Sequence, residues 1–560
     1  MIRQALNDGT SSLGREALQL LKYHGIYEQR GRDERLASKA MGVEAEPSYM
    51  IRVAVTAGVL TAEQYLGLDR FARDVSGTGA LRLTTRQCVQ LHGLRKGDLR
   101  PAMRRLDELG LSGRCGCGDI ARNIMAPAAP LDTPDYRAAR ALAHELRTAL
   151  CPPMPSYEQL WLDRKATAGD ELERLYSRQY LPRKFKLGIA LPDDNSVEVH
   201  SQDVGLVLVM DGSTFRGVNL LVGGGLGMTH GNGRTFARLA SELAYVEAGH
   251  VVDAVRIILA IFRDFGDRTD RKHARLKYLV EAFGVEDFRA ELARRAGFEI
   301  QPCVPLPRLK HRDWLGLHEQ GNGRHFLGLD VPSGRVVDQD RVRRRSALRT
   351  IVEHLRPSVI MTPQQNLLLG DLSEASIATA RGVLEAYNVP AVEALTGVRR
   401  HAMACPAWPS CGQALNEAER VMPGVIDTVE ADLVRLGLAD VPLTVRMTGC
   451  PNGCARPYTA DIGLVGHKPG CYDLFVGGGL NGDRLGEFYA GNVPLKDIAA
   501  TLRPLLAQWR DRRQPGEGLG EYCHRVHGAG GTNGRLLTGS REEPAGSRWG
   551  TLGGKGGQTP

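Results

Sequence analysis

No run of apolar residues in this chain is long enough to cross a bilayer. The strongest, near residues 251–262, is interrupted by Asp253 and Arg256, whereas a spanning helix needs about 20 predominantly apolar residues. The opening segment MIRQALNDGTSSLGREAL has no apolar core and contains acids, so it reads as neither a secretory signal nor a typical transit peptide. Eleven cysteines without such a signal point to a reducing compartment, and the cytoplasm is the expected location. Flavin and nicotinamide motifs are missing as well. The Gly-rich stretch GVNLLVGGGLGM, residues 217–228, lacks both the Walker lysine and a Rossmann spacing. A tight turn against a large planar ligand explains it at least as well as a phosphate cradle.

What is present is a chain of 560 residues, 42% hydrophobic and 24% charged, long enough for two or three domains with buried cores. Net charge is +8, which admits an anionic substrate, an acidic protein partner or nucleic acid. The arginines are spread along the whole chain rather than gathered into a stripe, which argues against a specific nucleic-acid partner.

Near the C-terminal end stand Cys405-Pro-Ala-Trp-Pro-Ser-Cys411 and Cys450-Pro-Asn-Gly-Cys454. Four thiolates are what a cubane iron–sulfur cluster needs, since each soft iron takes one protein sulfur. Their spacings differ from the two-residue knuckles of most zinc sites.

An internal repeat accompanies them. Residues 50–60 lead through a helix-like stretch into LRLTTRQ at 81–87, and HFLGLDVPSGRVV at 325–337 leads through 341–355 into VIMTPQQN at 359–366. Both copies read strand, Gly turn, helix, strand, with Thr-x-x-Gln at the second strand. Two copies far apart suggest a pseudo-twofold pair, because a solenoid needs at least about three consecutive ones. Segments 196–210 and 473–477 have strand composition, and 271–283 and 416–438 have helical periodicity. The expectation is an α+β fold: a composite repeat domain plus two larger lobes. The residues after Gly528 are Gly-rich and poor in apolar groups, an expected disordered tail.

Several motifs now combine: LRLTTRQCVQLHG at 81–93, CGDIARN at 117–123, YLPRKFK at 180–186, MTPQQN at 361–366 and the two cysteine pairs. Together, over about residues 21–527, the chain resembles the siroheme- and iron–sulfur-dependent sulfite and nitrite reductases. The resemblance implies a pseudo-symmetric, three-domain α+β structure with ferredoxin-like repeat halves. On this reading, residues 1–49 form an N-terminal extension, and 50–113 and 310–394 are the two halves. Residues 114–309 are a siroheme and substrate lobe, 395–528 an iron–sulfur and siroheme lobe, and 529–560 the tail.

It further implies that Cys405, Cys411, Cys450 and Cys454 hold a 4Fe–4S cluster, with Cys454 shared with the siroheme iron. Such a thiolate gives electrons a short covalent route. Siroheme contacts fall on Arg82, Thr84, Arg86, Gln87, Gln90, His92 and Asn452. On a strand, Arg82, Thr84 and Arg86 would share one face and suit the many carboxylates of siroheme. Arg52, Arg122, Lys184 and Lys186 would surround the substrate, donating hydrogen bonds and protons, and their mutual repulsion should lower the lysine pKa values.

The implied reaction is six-electron reduction of sulfite to sulfide; nitrite to ammonia is the alternative. Lys186 in PRKFK favours sulfite, because nitrite reductases of the ferredoxin type usually read PRKWN there. With no flavin site in the chain, electrons would come from a separate protein: ferredoxin in the first place, an NADPH-linked flavoprotein in the second. A plain electron carrier would have no need of the four cations. The family pattern is departed from at Cys88-Val89, at Ala54 and at the extra Cys115. Cys88, Cys115, Cys117, Cys151, Cys303, Cys471 and Cys523 are expected to be packed, unpaired thiols.

Overall fold

Two antiparallel five-stranded sheets carry the internal duplication, and each takes its last strand from the other repeat. In the computed structural model, which describes residues 2–29, 31–43, 45–164 and 170–527, the first sheet runs Ile26–Gln29, Ser48–Val53, Val89–Leu94, Leu81–Leu83, then Arg335–Val336. The second runs Gly316–Glu319, His325–Leu329, Leu367–Leu372, Ser358–Met361, then Val59–Leu60. Val336 pairs with Leu81, and Val59 with Ile360. The segment read as an N-terminal extension therefore supplies an edge strand to the first sheet. The Gly-rich tail lies outside the described residues.

The Thr-x-x-Gln signature has a physical reason here. Thr84 and Thr362 accept the backbone N–H four residues on, from Cys88 at 3.1 Å and Asn366 at 3.0 Å, closing a turn with Gln87 and Gln365 in left-handed conformation. The Gln87 amide then donates to Ala57 O at 3.0 Å and Met361 O at 3.1 Å. Gln365 donates to Ser333 O at 3.1 Å and Leu83 O at 3.3 Å. Each glutamine thus joins its own repeat's Gly turn to a strand of the other.

The glycines in those turns, Gly58 and Gly334, have φ of 76° and 73°. A Cβ on either would stand 2.4 Å from a carbonyl oxygen, of Met361 or Leu83. Gly58→Ala should therefore cost about 2–4 kcal/mol, from an unfavourable φ plus the clash. Denaturant unfolding of the variant beside wild type measures it; a cost under about 1 kcal/mol would show that the turn relaxes.

Helix Ala62–Asp74 starts in a capping box between Thr61 and Gln64, which satisfies otherwise unpaired N–H groups. From it the buried Asp69 reaches Arg345 at 2.6 Å and Arg349 at 3.1 Å, tying it to the equivalent helix Arg344–Leu355 of the other repeat. The duplication extends into the lobes. One sheet runs Leu187–Ala190, Val204–Asp211, Thr214–Val222, Ser241–Glu247; the other runs Met403–Ala404, Val445–Thr448, Ile462–Lys468, Cys471–Val476, Glu487–Pro494. In both, parallel pairing gives way to an antiparallel meander. A helix follows each meander, Val251–Phe265 and Ile498–Arg512. The apolar run at 251–262 is the first of these, with its apolar face buried. The 398–523 lobe has an apolar core of its own.

Three sequence expectations are trimmed by local side-chain chemistry. The helix expected at 271–283 begins only at Leu276, because Asp267 and Asp270 accept the backbone N–H of Thr269 and Lys272 and hold a turn. The one expected at 416–438 is Met422–Arg435; Asn416 instead donates to Lys468 O and Cys471 O. The strand expected at 196–210 starts at Val204, since Asp194 and Asn195 bind the N–H groups of Ser196 and Val199. Among the described residues no helix is long and apolar enough to cross a membrane.

Candidate functional site

Cys405 follows the short strand Met403–Ala404, and Cys450 follows Val445–Thr448, so two adjacent parallel strands deliver both cysteine pairs to one sheet end. The Gly449 N–H donates to Cys405 Sγ at 3.4 Å, and the Gly449 carbonyl accepts from Leu415 and Asn416. Burial pushes the Cys405 thiol well up, and the neighbouring Cys454, Cys411 and Cys450 sulfurs push it further. The four thiols are thus within electrostatic reach of one another. Yet among the described residues no three His, Cys, Asp or Glu side chains converge tightly enough to chelate one metal ion. Four cysteine sulfurs gathered at one sheet end suit the four irons of a cubane cluster.

Every other part of the molecule grips the Cys450–Cys454 loop. Thr85 Oγ1 of the first repeat donates to Cys454 O at 3.0 Å. Arg456 donates to Thr85 O at 3.3 Å and to Pro363 O of the second repeat at 3.1 Å. Glu198, from the opposite lobe, pairs with Arg446 at 2.6 Å and Arg456 at 3.1 Å, and all three are buried. Burial alone would raise the Glu198 carboxyl; Arg446 and Arg456 overcome this and hold it down at about 2. The Gly-rich stretch packs here too, with Met228 N–H donating to Pro451 O at 2.9 Å. Its role is a turn against the cysteine loop.

Arg52, Arg122, Lys184 and Lys186 gather in one place, Arg122 buried and the other three half-buried. Gly116 O accepts from Arg52 Nη1 at 3.4 Å and Arg122 Nη1 at 3.2 Å, and Gly118 O accepts from Arg122 Nε and Nη2 at 2.9 and 2.7 Å. Among the described residues, neither lysine ammonium has a hydrogen bond or ion pair. Burial is the main cause that lowers Lys184, to about 7, with Arg275, Arg183 and Arg122 adding repulsion. Lys186 is driven well below its usual range by burial, then by Lys184, Arg275 and Arg86. Desolvation therefore leads, and the repulsion expected from sequence comes second. Cys454 lies close enough to act on both Arg52 and Lys184, which puts these two cations near the cysteine loop.

The residues expected to contact siroheme divide. The strand ends at Leu83, so Arg82, Thr84 and Arg86 do not alternate along one face. Arg82 forms a buried ion pair with Glu419. Thr84 closes its turn, and Gln87 pins the duplication rather than facing a ligand. Arg86, half-buried, donates to Gln202 Oε1 at 2.6 Å and Asn123 O at 2.8 Å. Gln90 turns its amide oxygen to Arg52 Nη2 at 2.6 Å and its NH₂ to His92, while His92 Nδ1 meets Gln29 Oε1 at 3.0 Å. Burial, then Arg82 and Arg52, keep His92 neutral. Asn452 donates to Gln413 at 3.0 Å within the cysteine loops. The orphaned buried Nε atoms of Arg82 and Arg86, the latter close to Lys186, fit a polyanionic prosthetic group.

Residues 143–300 and 397–526 match the nitrite and sulphite reductase 4Fe-4S domain, and residues 43–109 match the nitrite/sulfite reductase ferredoxin-like half domain. The chain belongs to the nitrite and sulfite reductase family. The family's cofactors are siroheme and a 4Fe–4S cluster, and Cys405, Cys411, Cys450 and Cys454 are the residues of this reductase that would hold the cluster. Relatives include the sulfite reductase [ferredoxin] of Synechococcus elongatus, 40% identical over 94% of this chain and 87% of that one. The sulfite reductase [NADPH] hemoprotein beta-component of Chromohalobacter salexigens is 40% identical over 94% and 92%. Among solved structures, the Mycobacterium tuberculosis NirA protein shares the fold, with TM-score 0.73 and 24% identity over 94% of each chain.

Sequence reasoning missed several residues of the reductase site. Thr85 lay inside a recognised motif and could have been found. Glu198, Asp203, Arg446 and Arg456 carried no signal, because their partners are remote in sequence. Asp203 is buried, accepts the Lys186 backbone N–H at 3.0 Å and pairs with Arg275 at 2.8 Å. One expectation is overturned: Cys115 and Cys151 are joined as a disulfide. Close packing of the 113–118 loop on the end of helix Pro134–Leu150 brings them together. Cys88, Cys117, Cys303, Cys471 and Cys523 are free thiols.

Proposed function

We propose that this protein is an assimilatory sulfite reductase, reducing sulfite to sulfide with six electrons. The observation that carries the reading is the crowding of Lys184 and Lys186, half-buried and unpartnered, against Arg52 and Arg122 near the cysteine loop. Crowding uncompensated cations is costly and lowers both lysines; an anion among them restores their protonated form, and a dianion does so more than a monoanion. Siroheme and a 4Fe–4S cluster, when bound, would pass the donor protein's electrons to the oxyanion. The chain's own part is to bind the oxyanion, orient its oxygens and deliver protons as each departs as water. Turnover of the holoenzyme with reduced methyl viologen, with sulfite and nitrite in parallel, tests it; a higher kcat/KM for nitrite would reassign the substrate.

Lys186→Asn removes one of the two ammoniums, and a monoanion loses less by this than a dianion. Sulfite kcat/KM should fall about 100-fold and nitrite kcat/KM about tenfold or less. Equal losses would remove the charge argument for sulfite.

Lys184 gives the site a pH dependence. With its value near 7, the cationic form that attracts sulfite dominates below that pH and is lost above it. The wild-type advantage in sulfite KM over Lys184→Met should therefore shrink as pH rises from 6 to 8.5. Taking that ratio cancels sulfite's own protonation. A constant ratio would show that Lys184 stays charged throughout.

For the electron donor we favour a ferredoxin. The net charge of +8 suits an acidic iron–sulfur protein drawn in by electrostatic steering, while the relatives include both donor types. Turnover with reduced ferredoxin, compared with an NADPH-driven flavoprotein, decides between them.

A further inference from the structure

The Cys115–Cys151 disulfide lies outside every role described so far, and its position is informative. The 113–118 loop that carries Cys115 is the same loop whose carbonyls hold the substrate-side arginines. Gly116 O accepts from both Arg52 and Arg122, and Gly118 O takes the fork of Arg122. Cys117 Sγ is a further acceptor for Arg52, at 3.4 Å. At its other end the disulfide is fixed to Cys151, the residue that ends helix Pro134–Leu150. Cys115 is buried in left-handed backbone, and Cys151 is half-buried. Arg147, one turn back on the helix, donates to Cys151 Sγ at 3.1 Å and to Arg114 O at 3.1 Å.

We propose that Cys115–Cys151 is a redox-controlled tether for the arginine-bearing side of the substrate pocket. This rests on Arg52 and Arg122 being the sulfite-binding arginines. Closed, the tether keeps the 113–118 carbonyls where they orient both guanidinium groups; opened, it frees the loop and weakens sulfite binding. The same chain must keep its cluster cysteines as thiolates, so the disulfide belongs to a protein made to work under reducing conditions. Disulfides in that setting are usually reversible and regulatory.

The step balances with a dithiol reductant. One of its thiolates attacks the accessible Cys151 sulfur, the S–S bond breaks, and Cys115 leaves as thiolate and takes a proton. The second thiol of the reductant then attacks its own sulfur in the mixed disulfide and expels Cys151 as thiolate. Arg147 stands ready to stabilise that leaving group, which then takes the second proton. Two electrons and two protons pass to the protein, and the reductant becomes a disulfide.

The test uses the full-chain holoenzyme before and after dithiothreitol. A non-reducing digest should yield the Cys115 and Cys151 peptides as one linked species that reduction separates. Amide exchange across residues 113–122 should quicken about tenfold on reduction, and sulfite KM should rise about fivefold with kcat within about twofold. Cys151→Ser should show the raised KM without treatment and no longer respond. The linkage is re-read by mass at the end of each assay, because the assay donor is itself reducing. Absence of the linked species, or exchange and KM unchanged by reduction, overturns the proposal. Because wild type is itself compared in both states, a poorly folding variant does not decide the outcome. If sulfite is not turned over at all while linkage and exchange behave as expected, the substrate reading has failed and the tether stands.

Discussion

Cys454→Ser should abolish turnover, by at least about a thousandfold or some 4 kcal/mol of barrier, and should remove the cluster while leaving the chain folded. A serine hydroxyl does not ionise near neutral pH and is a hard oxygen where soft iron prefers thiolate. The fold should survive because the loop does not depend on that sulfur. It is held through Thr85 to Cys454 O, through Arg456 to Thr85 and Pro363, and through Glu198 to Arg456. Iron and acid-labile sulfide content, the visible spectrum and far-UV circular dichroism read the three parts separately. Cys471→Ser, a free and half-buried thiol in the same lobe, is the control and should change none of them. Full iron content with normal turnover in Cys454→Ser would take Cys454 out of the ligand set.

The second large effect is expected at Glu198, although no chemistry happens there. Glu198→Gln would leave Arg446 and Arg456 buried with no counter-charge, and breaking such a network by removing one partner costs about 3–5 kcal/mol. The cost also has a pH signature. The folded carboxyl sits at about 2, below its ordinary 4.5, so its ionised form contributes its full stabilisation above about pH 4.5. That contribution is lost as the pH falls towards 2. Wild type should therefore lose more stability between pH 5 and 3 than Glu198→Gln does, and the variant should start lower at pH 7. Urea unfolding at those pH values gives both numbers. Parallel acid limbs in the two proteins would mean that Glu198 is not what acid titrates. Because Arg456 lies two residues beyond Cys454, cluster content should fall in the variant as well.

How much of this could be read from residues alone depended on the reach of the interactions. The duplication was legible because its signature is local: a threonine that closes a turn and a glutamine three residues on recur in both copies. What the Gln87 amide does there was not legible, because its acceptors, Ala57 and Met361, lie on different repeats. The cysteine set stood out by its spacing, Arg122, Lys184 and Lys186 by motif and Arg52 by the family resemblance, and the fold brings the four cations together. The expected strand face of Arg82, Thr84 and Arg86 failed because the turn that Thr84 closes ends the strand at Leu83. The Cys115–Cys151 pair escaped for a different reason. Its two sulfurs are 36 residues apart in sequence, and only the packing of a loop on a helix end reveals that they meet.

The exchange of strands between the repeats sets a timetable for the emerging chain. Leu81–Leu83 waits for Arg335–Val336, and until those residues leave the ribosome the first sheet carries an open edge. Val59–Leu60 waits likewise for Ser358–Met361. Pairings of such long sequence separation form slowly, and uncovered edges are sticky. Synthesis that stalls just before the second repeat would release a fragment with an unpaired edge and all four substrate cations. For this chain, pauses in translation and chaperone cover over its first half should govern the yield of folded protein more than any single contact in the finished molecule.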